Sequence, residues 1–456
     1  MIKTLQQYKN LSIFIVAIHL VYFLIAIFFG GIFTIDSPGY LFQANNLVQF
    51  HSVYAGDYTI NLLPDYFAFR PPLYAGFIIV CKFLFNSNYS VLFIQNILAI
   101  IMLFYVIYWL VQLNVKTKIL NTIIPIYLVF YPAHFVYANT IMSDTIFEVL
   151  TFALFYQTYR FYQSPNLKKA LFIGFIIALS LLTKPVSILI GLLVCLVLLF
   201  IKNYNKIYIT YALILPLIAY LSFGLAVKKE TGYFQFTSMK SFVAVRCLVK
   251  YSASNKYGAD YADSLCTAMV NGADAQVSIA KRFNYLDSSC NTFLVNNKLA
   301  FLKVYTKGCI TFLFDPGRYD LYKLFNANDD NALGMYQTLQ QFGIKAMLKF
   351  LFGLNFLGLI ALAFLAIWNI IVVIVFILFL LKTNYSIILK ILIAVFVLYF
   401  LLTTGVLGVS RYRVHIFPML LMAFVLWANQ SFIARIPINR ELLNAEKNNI
   451  KCNVVY

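Results

Sequence analysis

Long apolar runs separated by short polar connections dominate this chain. A membrane-spanning helix needs about 20 predominantly apolar residues, with a tolerance of roughly 17 to 25. Runs that meet this requirement lie near residues 11–33, 89–112, 119–138, 145–162, 167–183, 186–201, 207–227, 350–381, 388–407 and 412–432. They predict an all-α polytopic membrane protein with about ten transmembrane helices.

Two apolar runs depart from the simple pattern. Residues 71–85 are short, begin with Pro71-Pro72 and contain Lys82. Counted as a span they would invert every later loop, so they read as an interfacial or re-entrant helix of the first outer loop. The run at 350–381 is too long for one upright crossing, and its start is expected to lie along the membrane surface. The chief polar interruption is residues 228–349, far longer than an ordinary connection. It reads as a lid or small domain over the membrane core, without periodicity strong enough to name its fold. Four units follow: a membrane module at 1–227 whose first outer loop, 34–88, carries the candidate site; an extracytoplasmic loop domain at 228–349; C-terminal transmembrane helices at 350–432; and a basic tail at 433–456.

Composition supports a lipid environment, with 62% hydrophobic residues and only 11% charged, against about a quarter charged in soluble domains. The 35 basic residues against 16 acidic ones would suggest nucleic acid in a soluble protein. Here they report topology, because Lys and Arg accumulate in cytoplasmic loops. With the N-terminus inside, the inner connections hold Lys116 and Lys118, then Arg160, Lys168 and Lys169, then Lys202 and Lys206, then Lys382 and Lys390. Arg435, Arg440, Lys447 and Lys451 follow in the tail. Both termini are thus expected in the cytoplasm. The first apolar stretch, flanked by Lys3 and Lys9, is too long for a cleaved signal and reads as an anchor. Richness in Asn, Lys, Ile, Tyr and Phe suggests a bacterial source, and so a bacterial inner (plasma) membrane. Cys247, Cys266, Cys290 and Cys309 share the large loop, compatible with two disulfides or with four unpaired thiols.

Acidic residues beside apolar spans are costly, so each needs a reason. Outside the large loop and the tail there are only Asp36, Asp57, Asp65, Asp144 and Glu148. Asp36 directly follows the first span and Asp144 begins the fourth, with Glu148 one turn deeper on the same face. Topology puts Asp36 and Asp144 at the same outer boundary, where two converging carboxylates can bind a metal or activate a nucleophile. Each is also a good helix N-cap, Asp36 before Ser37-Pro38 in particular. Arg70, Lys184, Arg411 and Arg413 face outward against the positive-inside bias, which points to an anion nearby. Outer-leaflet headgroups or these same acids would serve; four such cations at one boundary favour a phosphate, which Arg grips bidentately. His19 is expected to pack against or hydrogen-bond a neighbouring helix; His51 lies in the outer loop within reach of a substrate but is not counted among the site residues. No P-loop or dinucleotide fingerprint is present.

The order of five motifs resembles the GT-C superfamily of membrane glycosyltransferases, nearest its bacterial branch related to protein O-mannosyltransferases and the lipid A aminoarabinose transferase. DSPGY, with Asp36 and Tyr40, follows the first span; then come RPPLY, PAHFVYANTIMSD, GFIIALSLLTKP and finally RYRVHIFP. The likeness covers about residues 10–200 and 405–420 and leaves the large loop out. It implies transfer of a sugar from a polyprenyl-phosphate carrier to an extracytoplasmic acceptor by inverting displacement. It further implies that Asp36 is the catalytic carboxylate and Asp144 the second acidic position. Arg70 is then the basic residue before the Pro pair and Arg411 the arginine of the last span. Two departures stand out: Ser37 where many mannosyltransferases carry a second acid, and Arg70 where Lys is common.

On this expectation Asp36 takes the acceptor's proton and Asp144 orients it or the acceptor. Arg70 and Arg411, with Arg413, Lys184 and Tyr40, bind the donor and its phosphate. Oxygen ligands from Asp36 and Asp144 would suit Mg²⁺ or Mn²⁺. The acceptor can be a lipid, a glycan, a wall polymer or a protein. Two other classes compete. A transporter or flippase of lipid-linked sugar would show internal repeats and midplane polar groups. An O-antigen polymerase or ligase would carry its essential groups on the large loop and tolerate substitution of Asp36 and Asp144.

Overall fold

The computed structural model describes residues 6–60, 62–199, 205–325, 335–352 and 356–434. Lys3, Lys202, residues 353–355 of the expected long span, and the tail from 435 onward lie outside them. Among the described residues every regular element is helical. Six helices among the described residues are long and apolar enough to cross a membrane. They are α1 (Lys9–Phe29), α4 (Asn88–Gln112), α10 (Ile207–Thr231), α18 (Phe356–Lys382), α19 (Ile387–Thr404 and its short extension) and the C-terminal segment containing α20 (Phe417–Ala434).

The other expected spans have individual reasons to differ. The run at 119–138 forms two helices, α5 (Thr117–Val129) and α6 (Pro132–Ala138), bent by 68°. The bend falls where Pro132, lacking an N–H, opens a new helix at its first turn. α7 (Asp144–Gln163) is long enough but carries Asp144, Glu148 and Arg160. α8 (Leu167–Leu181) and α9 (Ile188–Leu199) are 15 and 12 residues long, shorter than the hydrocarbon layer at about 1.5 Å per residue. The Thr183-Lys184-Pro185 turn separates them. Between α1 and α4 lie α2 (Ser37–Gln49) and the 13-residue α3 (Leu73–Phe85), which covers the run at 71–85 and is too short to cross upright.

The described residues of 228–349 are helical as well: α11 (Met239–Val243), α12 (Lys250–Tyr257), α13 (Ala259–Asp274), α14 (Ile279–Asn296), α15 (Lys298–Phe314), α16 (Arg318–Leu324) and α17 (Met335–Phe352), the last broken at Gly343. A π-helix at Ala244–Val249 joins α11 to α12. Their small core is made of pairs four residues apart, Val245 with Val249, Met269 with Ala273 and Leu286 with Cys290. Cys247, Cys266, Cys290 and Cys309 stand as free thiols.

The main core lies among α4, α5, α7, α19 and α20, where Trp109, Tyr127, Phe147, Phe155, Phe396 and Phe400 are buried. Most of α20 is enclosed by other helices, whereas α1 buries one stripe, Leu11, Ile15, His19 and Ala26. The central position of α20 holds the preceding 3₁₀ turn, Ser410–Ile416, against α6, α7 and α15.

A charged candidate active site at one end of the bundle

Two loops zipped together make the site. Ile141 N–H donates to the Ile32 carbonyl at 2.9 Å, and Ser37 Oγ donates to the Ile141 carbonyl at 2.9 Å. The chain after α1 is thereby bound to the chain before α7, which brings Asp36 beside Asp144. Ser37, a departure from the acidic pattern, thus has a structural use: a carboxylate could not donate to that carbonyl. On the other side, Leu73 N–H donates to the Leu182 carbonyl at 2.8 Å. That bond sets the start of α3, and with it Arg70, near the turn that carries Lys184.

Arg411 is the centre. Its Nη1 donates to Asp36 Oδ2 at 2.6 Å, while Nε and Nη2 both bond Asp144, each at 3.1 Å. One guanidinium therefore joins the two carboxylates, bidentate on Asp144. Arg70 Nη2 donates to Asp36 Oδ1 at 2.9 Å, and Lys184 Nζ to Asp144 Oδ1 at 2.7 Å. The Arg70 guanidinium lies 4.1 Å over the Tyr40 ring, and the Tyr40 hydroxyl bonds Ser143 at 2.7 Å. Gly39 leaves room for this stack: a Cβ there would come within 2.7 Å of Arg70 Nε.

Asp144 is fully buried, whereas the Asp36 side chain keeps 27% of its exposure, so Asp36 is the open end of the cluster. Neither carboxylate caps its helix: no side-chain capping bond is made by Asp36, and Asp144 lies inside the first turn of α7. Burial opposes ionisation of Asp36, but Arg411 first and Arg70 next overcome it and hold the carboxyl down at about 2. Its charge is thus locked in place by the two arginines.

Asp36, Arg70, Lys184, Asp144, Arg411 and Tyr40 are brought together; Arg413 is not. It turns away and donates to the carbonyls of Leu313, at 2.7 Å, and of Asp315. The reason is local, because successive residues of a 3₁₀ turn point about a third of a turn apart. His51 lies exposed in the first loop, and His19 bonds Asn96 of α4 at 2.8 Å. Sequence reasoning missed His415, whose Nε2 sits 3.2 Å from Asp144 Oδ1 and 3.1 Å from Lys184 Nζ. Its position four residues after Arg411 was the available signal. The donor set does not fit a divalent cation. Both oxygens of both carboxylates already face arginine or lysine, and an ammonium beside the ligands repels a metal.

No protein-family model matches the chain, and no curated protein matches it. What the site is for must be argued from its own chemistry.

Proposed function

We propose that the chain is a membrane glycosyltransferase of GT-C type that moves a sugar from a polyprenyl-phosphate donor to an acceptor outside the cytoplasm, using the Asp36–Asp144 cluster. The observation that carries this reading is the charge count around Arg411. Three cations, Arg70, Lys184 and Arg411, share two carboxylates. A buried surplus of positive charge needs an anion, and guanidinium matches phosphate geometry. Arg70 Nε, buried and without a hydrogen-bond partner among the described residues, is a further donor for that anion.

The chemistry follows from competition for the arginines. With both arginines on Asp36, its carboxylate is a weak base. A donor phosphate drawing Arg70 and Arg411 to itself frees Asp36 and raises its proton affinity where the reaction needs it. The acceptor O–H or N–H then attacks the anomeric carbon. The new glycosidic bond forms as the bond from that carbon to the phosphate oxygen breaks. The electron pair leaves with the polyprenyl phosphate, held by the arginines, and the proton goes to Asp36. Attack opposite the leaving group inverts the anomeric centre. Asp144, held by Lys184 and His415 as well, keeps Arg411 in register when its hold on Asp36 loosens.

In this reading the shorter helices α5 to α9 complete about ten crossings, and the cluster faces the outer side. Mass spectrometry of envelope glycolipids, glycans and proteins from cells with and without the chain tests it. One product class should lose the mass of a single sugar when the chain is absent. Unchanged products together with a stalled or mislocated lipid-linked sugar would favour a transporter instead.

A further inference from the structure

We infer that Asp320 is a positioning residue that, together with Asp315, fixes the backbone at Ser410 and so aims Arg411 across Asp36 and Asp144. The inference rests on the proposed role of Arg411 in gripping the donor phosphate. Two carboxylates from the large polar segment converge on Ser410. Its N–H donates to Asp315 Oδ2 at 2.6 Å, and its hydroxyl donates to Asp320 Oδ2 at 2.6 Å. The other oxygen of Asp320 accepts from the Tyr137 hydroxyl at 2.7 Å, at the end of α6. On the far side of Arg411, Arg413 is anchored to the carbonyls of Leu313 and Asp315, and Asn369 of α18 donates to that Asp315 carbonyl at 2.9 Å. The residues flanking Arg411 are therefore pinned to residues 313–320, while Arg411 itself crosses the site.

Asp320 is 1% exposed. A carboxylate buried that deeply is costly, and hydroxyl donors offset less of the cost than a cation would. Its two oxygens accept from two separate hydroxyls, which an asparagine cannot do, because its NH₂ would face one of them. Gly317, at φ +76°, lets the turn close on this group: a Cβ there would lie 2.8 Å from Asp320 Oδ2. The titratable and charged groups facing Asp320 include Tyr137 from α6, Tyr131 just before it, Asp315 from its own segment and Arg413 from the last one. Burial pushes the carboxyl up to about 6, against the bonds from Ser410 and Tyr137. Protonation therefore removes an acceptor from the latch as pH falls through about 6.

The test is binding of a polyprenyl phosphate to the full chain in lipid nanodiscs. Asp320→Asn should weaken binding about tenfold, the worth of one well-placed hydrogen bond, measured at a temperature below its melting transition. Ser410→Ala, which removes one hydroxyl and no charge, should weaken it in the same direction. Between pH 7 and pH 5 the wild-type affinity should fall more than that of Asp320→Asn, which keeps only the phosphate's own titration. A merely structural Asp320 would leave that pH difference at zero. If Asp320→Asn binds like wild type while Arg411→Ala loses binding, the positioning role is wrong and the donor reading stands. If Arg411→Ala also binds like wild type, the donor reading fails and this inference fails with it.

Discussion

Asp144 and Glu148 lie one turn apart on α7, both fully buried, in surroundings that differ in kind. Asp144 meets Arg411, Lys184 and His415 and connects through Arg411 to the partly exposed Asp36. Among the described residues Glu148 hydrogen-bonds His134, at 2.9 Å and 3.1 Å from Nδ1. That histidine is stacked on Phe417 and lies edge-on to His19. The first group holds more cations than carboxylates and opens outward. The second can share one proton, carries no surplus charge, and is sealed among aromatic rings. Burial of an ionisable side chain therefore does not by itself mark chemistry here. Surplus charge with an open end does.

The strongest way to break this contrast is Asp144→Asn. It leaves Arg411 and Lys184 without their buried counter-charge, which costs about 3–5 kcal/mol, and it releases Arg411. Transfer should fall at least about a hundredfold, with a lower melting temperature in detergent; wild-type transfer would show that the cluster is only structural. Arg70→Lys is expected to act next in size. Lysine keeps the charge but loses the planar fork and the stack on Tyr40, so kcat/KM for transfer should drop about tenfold. Unchanged transfer would take Arg70 out of the grip on the donor phosphate. Glu148→Gln should have the smallest effect on activity. It exchanges one bond to His134 for a weaker one, costing about 1–3 kcal/mol of stability, and transfer should match wild type. Abolished activity there would make the inner pair functional and would favour a proton-coupled transporter.

Much of this arrangement was legible in the sequence, because cost is visible there. Asp36, Asp144, Arg70, Lys184 and Arg411 stand out as ions next to apolar runs, and they do meet. Arg413 looked equivalent to Arg411, but direction within a 3₁₀ turn cannot be read from a run of letters. His415 carries no ordinary cost at a helix start and so gave no alarm. The large polar segment hid its helices because α13, α14 and α15 each bury a stripe of only three or four residues, in which Ala, Gly or Cys often stands in place of Leu. Asp315 and Asp320 were therefore lost among nine acidic residues of that stretch. The apolar runs around Pro132 and Pro185 break into shorter helices, a division that hydropathy along the chain does not show.

Asp36→Asn is the most direct measurement of the central claim. The substitution keeps shape and removes only the charge and the base. In cells lacking the native chain, membrane insertion of the variant should equal that of wild type, as judged by the amount recovered in the membrane fraction. The glycosylated product restored by wild type should be missing by mass spectrometry. Product at the wild-type level from a fully inserted Asp36→Asn protein would contradict the account.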